Sequence, residues 1–221
     1  MVYAMLYAEN ADVVGTYESR DAALADLATF ANQHPNKVTY IQPILDVLDY
    51  SPTKLENVPD VVMVEGKNDF YTLKYFQDKV LRRKTQLNLL PGNGVSTLDS
   101  VIRLYIAWGR NFIILLDSDS AGKDAKRRYE ENFGTFVQNR IYLLEDIEPT
   151  WKQKDMESIF EDADRMTIQL SAFPTSPKFN KIQFNRGVQE LYLKSQVPSI
   201  SQVTRDNLTK ILNFCEQKLE Q

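Results

Sequence analysis

The sequence holds one cysteine, Cys215, and one histidine, His34, in 221 residues. A single cysteine excludes an internal disulfide and any cysteine-based zinc site. A single histidine excludes paired-histidine metal centres and leaves a Ser-His-Asp triad without support. Any metal must therefore be held mainly by oxygen, which favours Mg²⁺, Mn²⁺ or Ca²⁺ over zinc. No apolar run approaches the roughly 18 residues that span a bilayer. The opening MVYAMLYAEN has neither the basic flank nor the apolar length of a secretory signal. A cytoplasmic setting without a membrane partner is the expectation. No GxxxxGKS/T stretch occurs, so the chain carries no P-loop for ATP.

What is present is a globular composition: 43% hydrophobic, 25% charged and 11% aromatic, outside the range of disordered chains. The net charge of −4 hides a split. Residues 1–60 hold three basic and nine acidic side chains, whereas residues 61–221 are close to neutral. This asymmetry suggests two modules. It argues against indiscriminate nucleic-acid binding, which wants a basic surface. It leaves room for an enzyme that gathers carboxylates around metals and sets Lys and Arg at the rim.

Along the chain, residues 2–8 and 12–18 alternate like the strands of a hairpin. Ser19 is a good N-cap for a helix over 20–33, and residues 38–45 read as a strand. Residues 1–47 are thus expected to form a ββαβ module, followed by a proline-bearing linker over 48–60. The pattern then changes. VVMVE (61–65) and NFIILLD (111–117) are continuous apolar runs of the kind buried on both faces of a sheet. With QLNLL (86–90) and RIYLLE (140–145), and helices predicted over 68–81, 96–109 and 121–133, the order is β-α-β-α-β-α-β. That order calls for a four-stranded parallel sheet with helices on both faces, over residues 61–150. Gly109 is placed to cap the second helix. Residues 151–221 read as a helical extension, with helices expected in KDMESIFEDA, DRMTIQLSAF, KIQFNRGVQELYLKS and SQVTRDNLTKILNFCEQKL. Cys215 lies on an apolar stripe of the last, which points to burial rather than reactivity.

The chemistry concentrates at strand ends. Glu65 closes the first core strand and Asp69 lies one helical turn on. Asp117 and Asp119 close the third as LLDSDSAG. Ligands of open parallel sheets bind beyond the carboxyl ends of the strands. Carboxylates crowded there repel one another unless they share a cation. Mg²⁺ is commonly held by a few carboxylates together with phosphate oxygens. The pattern therefore suits Mg²⁺ and a phosphate-bearing substrate. The basic run KDAKRRYEE (123–131) reads either as a solvated helix face or as a contact for phosphate. Arg82, Arg83 and Lys84 suit the C-terminal end of a helix dipole. PGNG (91–94) is a turn whose amides could approach phosphate.

VVMVEGKNDFYTLKYF and FIILLDSDSAGKDA resemble the two motifs of the Toprim fold, shared by topoisomerases, bacterial primases, recombination proteins and the overcoming-lysogenisation-defect (OLD) nucleases. The intervening LLPGNGVSTLDSVIRLYIAWGRN is most similar to OLD-type Toprim domains. The likeness covers residues 60–145. It implies Mg²⁺- or Mn²⁺-dependent cleavage of nucleic-acid phosphodiesters, with two ions about 4 Å apart, and by analogy a role in phage defence. Carried over, Glu65 is a metal ligand or general acid/base, and Asp69, Asp117 and Asp119 are metal ligands. Gly66 and Gly122 are the motif glycines, Gly66 leaving room for metal or phosphate. A later acidic residue on a helix corresponds to Glu157, with Asp155 as the alternative. A lysine beside the scissile phosphate corresponds to Lys181 or Lys178, Lys181 being preferred as the opener of the next helix. Lys67, Gly66, Asn93, Lys123 and Lys178 complete the substrate-binding set.

The expected partner is nucleic acid, DNA before RNA. OLD-type nucleases carry an ATPase domain ahead of their Toprim domain, so an ATPase is expected in trans or in a longer protein. Homodimerisation is compatible with the resemblance. Two alternatives stay open: a primase-like or RNA-processing Toprim enzyme, and a Toprim module that binds nucleic acid or protein without cleaving.

Overall fold

The computed structural model describes residues 3–7, 12–17, 58–92 and 95–220. The helix expected over 20–33, the strand expected over 38–45, most of the linker, and Asn93 lie outside the described residues. Two compact units divide the chain: Met1–Val58 with Ser100–Trp108, and Pro59–Asp99 with Gly109–Gln221. In the first, strands β1 (Tyr3–Tyr7) and β2 (Asp12–Tyr17) pair antiparallel, Tyr3 opposite Tyr17, with a register shift between Met5 and Leu6.

The second unit is built on a parallel sheet of β3 (Val61–Val64), β4 (Leu89–Pro91), β5 (Phe112–Leu116) and β6 (Ile141–Leu143), in the order β4-β3-β5-β6. Every residue of β3 and β5 is buried. Neighbouring strand residues point to opposite faces, so both faces of the sheet are covered. Parallel register keeps the faces distinct, Val62 standing beside Ile113 and Val64 beside Leu115. These four share one core with Leu73, Phe76, Ile168, Phe184, Leu208 and Ile211. The helices after residue 151 are therefore part of the same hydrophobic body as the sheet. On the opposite parity, Val61, Met63, Phe112 and Ile114 are equally buried. Helix α3 (Ser120–Phe133) packs on β5 and β6 and buries Ala125, Tyr129 and Phe133 outside the first core.

The helix expected over 68–81 does not run unbroken: α1 (Lys67–Tyr75) widens into a π-helical turn over Phe76–Val80. Leu81 N–H reaches Phe76 O, and the buried Gln77 exchanges two hydrogen bonds with the backbone of Leu87. Arg83 does more than complement a dipole. It bonds Asn213 at 2.6 Å and Glu216 at 2.5 Å, tying the end of α1 to helix α7 (Gln202–Leu219). Strand β4 starts later than expected and takes in Pro91, which a sheet tolerates at its edge. Helix α2 (Val95–Ala107) is followed by Gly109 at φ +61°, as the C-cap expectation requires. After β6 the chain turns through the short α4 (Leu144–Ile147).

The helix expected in KDMESIFEDA is not formed. Met156–Ile159 is a single 3₁₀ turn, and α5 (Asp162–Ala172) begins only after Glu161. Asp155 caps this turn, its carboxylate accepting from Ser158 N at 3.0 Å and from the Ser158 hydroxyl. The turn ends at Phe160, whose backbone is extended and whose ring packs on Phe76 and Phe184. Helix α6 (Lys181–Lys194) packs tightly on α5. A Cβ at Gly187 would stand 2.4 Å from Ile168 O, so only glycine permits that approach. Cys215 is fully buried and its thiol is pushed up to about 12 by desolvation. No helix among the described residues is long and apolar enough to cross a membrane.

Candidate functional site

Strand β3 has β4 on one side and β5 on the other. The winding of the sheet therefore reverses between β3 and β5, and the crevice beyond their carboxyl ends is where ligands of such sheets bind. Glu65 leaves β3 there and Asp117 leaves β5. Asp69, in the first turn of α1, turns back to accept from Gly66 N at 3.2 Å. Asp119 caps α3, accepting from Gly122 N at 2.8 Å. Gly122 is forced: a Cβ there would lie 2.0 Å from Asp117 O. Gly66 is not, for its backbone is extended and a Cβ would meet only Asp69 Oδ2, at 3.7 Å. The protein leaves space at Gly66 that its own fold does not use.

Segment 154–157 is stitched onto the end of β5. Ser118 N donates to Lys154 O at 2.9 Å, and Met156 N donates to Asp117 Oδ1 at 3.0 Å. This brings Asp155 and Glu157 to the acidic edge, Glu157 only 4% exposed. Helix α6 supplies their counterparts. Lys181 Nζ lies 2.8 Å from Asp155 Oδ2 and 2.9 Å from Glu157 Oε2. Asn185, one turn further and itself buried, donates through Nδ2 to Glu157 Oε1 at 2.6 Å. The Lys181–Glu157 contact is an ion pair without hydrogen-bond alignment, so among the described residues the buried Glu157 Oε2 has the Lys181 ammonium beside it but no directed donor.

The electrostatics couple these groups. Asp117 is pushed up to about 8 by desolvation, with Asp69, Glu157, Asp155 and Glu65 adding repulsion. Asp69 is pushed up to about 7 by burial and then by Glu157, against the stabilising Gly66 N–H. Burial raises Glu65, Asp119 adds to it, and Arg128 and Lys181 oppose. Burial alone would depress Lys181, but the hydrogen-bonded carboxylate of Asp155 and the ion-paired carboxylate of Glu157 outweigh it and hold the ammonium above its ordinary value. For Asp155 the same contact, with Ser158, outweighs desolvation and lowers its carboxyl.

Glu65, Asp69, Asp117, Asp119, Glu157 and Lys181 thus fall within one field. Among the described residues no three acidic, histidine or cysteine side chains are drawn close enough to hold a metal ion as they stand. Asp69, Asp117, Asp119 and Glu157 each face a protein donor instead. By donor chemistry the set still fits a hard divalent cation: all oxygen and mutually repelling. The remaining candidates separate. Lys123 is paired with Glu145 at 3.1 Å. Lys67 is exposed. Lys178 is exposed and forms no ion pair among the described residues, so of the two lysines Lys181 is the one at the acids. A groove of about 740 Å³, lined by Lys126, Tyr142 and Phe214 among others, flanks β6 and includes none of the acidic site residues.

Two participants escaped sequence reasoning, Asn185 and the full role of Asp155. The spacing Lys181-x-x-x-Asn185 was the available signal, since residues four apart share a helix face. No family model, no curated protein and no solved structure matches this chain.

Proposed function

We propose that the chain is a divalent-cation-dependent nuclease that hydrolyses nucleic-acid phosphodiesters, a Toprim domain of OLD-like type. The observation that carries the proposal is the gathering of Glu65, Asp69, Asp117 and Glu157 at the switch point of the sheet, where burial and mutual repulsion raise Asp69 and Asp117. Carboxyls that resist ionising for this reason ionise readily once a positive group stands among them. Glu65, Asp69, Asp117, Asp119 and Glu157 would hold one or two Mg²⁺ or Mn²⁺ ions. Such ions, when bound, polarise the phosphate and make water a nucleophile near neutral pH.

The chain's own residues supply the rest. Asn185 orients the Glu157 carboxylate. Lys181, half-exposed at the start of α6, offers its ammonium to a phosphate oxygen as charge builds there. Glu65 is either one of those ligands or, where it does not bind an ion, the group that passes a proton to the departing oxygen. Gly66 leaves the backbone open to a close-lying phosphate. DNA is favoured over RNA, and an ATPase would act from another chain or module.

The test uses the full chain with Mn²⁺ or Mg²⁺ on single-stranded DNA, duplex DNA and structured RNA. Cleavage that EDTA stops and Asp117→Ala abolishes is the expected result. Absence of cleavage on all three substrates, or equal cleavage by the variant, overturns the proposal.

A further inference from the structure

Helix α3 carries four basic side chains in one stretch, and three of them are satisfied. Lys123 pairs with Glu145 at 3.1 Å, Lys126 with Asp146 at 3.7 Å, and Arg127 with Asp124 at 2.7 Å. Arg128 is the exception. Its Nε and Nη2 are buried and have no hydrogen-bond partner among the described residues. Leaving two donors of a cation buried and unmade is expensive, so a native structure that does so calls for a reason.

The geometry gives one. Nε and Nη2 form a single edge of the guanidinium, the edge that grips two oxygens of a phosphate side by side. The plane is steadied from one side, with Cζ 4.7 Å from the centroid of the Tyr129 ring. Side chains on a helix lean toward its N-terminus, and that end of α3 is Asp119, at the acidic edge. Arg128 is also close enough to Glu65 to oppose the burial that raises it.

We propose that Arg128 receives a phosphate of a bound nucleic-acid strand through its Nε–Nη2 edge, one phosphate contact beside the acidic site. It rests on the nucleic-acid reading above and adds a residue that the motif comparison does not assign. A contact of this kind positions the strand and carries no sequence preference.

The experiment measures binding of labelled single-stranded and duplex DNA to the full chain in Ca²⁺, over a series of NaCl concentrations. Mn²⁺-dependent cleavage by the wild type is assayed separately. Arg128→Gln should weaken binding about tenfold on every sequence and reduce the slope of log affinity against log salt by about 0.7 to 0.9, the loss of one phosphate contact. Arg128→Lys should keep most of the slope while losing affinity, since it retains the charge and not the fork. If Arg128→Gln lowers Tm but leaves affinity and slope unchanged, the guanidinium is merely packed on Tyr129 and the proposal falls. Should the wild type cleave while Arg128→Gln binds normally, only this proposal fails. Should the wild type bind in an Arg128-dependent manner and never cleave, only the hydrolytic reading fails. A wild type that binds neither probe overturns both.

Discussion

The main-chain N–H of Met156 donates to Asp117 Oδ1 at 3.0 Å across 39 residues of chain. That bond ties the segment carrying Glu157 to the strand end carrying Asp117, and it separates two roles of the Asp117 carboxylate. Asp117→Asn keeps the Oδ1 acceptor and removes the charge. It should fold as stably as the wild type, or more so at pH 8, and lose at least about 100-fold in cleavage. Asp117→Ala should lose activity and in addition about 1–3 kcal/mol, because the Met156 N–H is left unmade. Equal stability of the two variants in denaturant melts would show that the bond does not hold the segment.

The raised carboxyls give the EDTA-treated protein a characteristic pH dependence. Asp69 and Asp117 stay protonated in the folded state up to about 7 and 8, but release their protons near the ordinary 3.8 when unfolded. Between those values the folded state binds more protons, so stability must fall as pH rises. Tm should drop by several degrees from pH 5 to pH 8, and Asp117→Asn should flatten the curve. A Tm that rises over this interval would contradict the burial of these groups.

Asn185 is the only side chain that donates a directed hydrogen bond to Glu157 among the described residues. Asn185→Ala should destabilise by about 1.5–3 kcal/mol, the range for a bond to a charged group. It should also raise the Mn²⁺ concentration needed for half-maximal activity about 10- to 100-fold, as loss of an orienting partner does. A Mn²⁺ titration and a melt decide it; a variant unchanged in both removes Asn185 from the site.

The two motif glycines should behave oppositely. Gly122→Ala drives a methyl to 2.0 Å from Asp117 O and should cost about 1–3 kcal/mol or prevent folding. Gly66→Ala meets no close protein atom and should melt like the wild type, or slightly higher. Its defect should appear only with substrate present, as a raised KM or lost cleavage. Full activity of Gly66→Ala would mean that nothing approaches the backbone there.

How much of this was legible beforehand depends on the range of each interaction. Continuous apolar runs at 61–64 and 112–116 announce strands covered on both faces, because adjacent residues point in opposite directions. Glu65 and Asp117 announce a functional edge, because a charge that ends such a run must stand at the end of the strand. The helix expected through 154–163 is cut short where Phe160 turns extended and packs on Phe76 and Phe184, a tertiary contact that apolar periodicity does not register. The π-helical turn after Tyr75 was hidden in the same way, its partner Leu87 lying ten residues off.

The sequence by itself determined the alternation of strands and helices, the acidic strand ends and the exclusion of cysteine- and histidine-based metal chemistry. These follow from local composition and spacing. Tertiary structure alone decided that β3 lies beside β5, that residues 154–156 bond to the Asp117 turn, and that Lys181 and Asn185 meet Glu157. Those contacts join residues 24 to 51 positions apart. Over such separations the chain carries no periodic signal; α6, packed on α5 at Gly187 and on α1, presents Lys181 and Asn185 to Glu157.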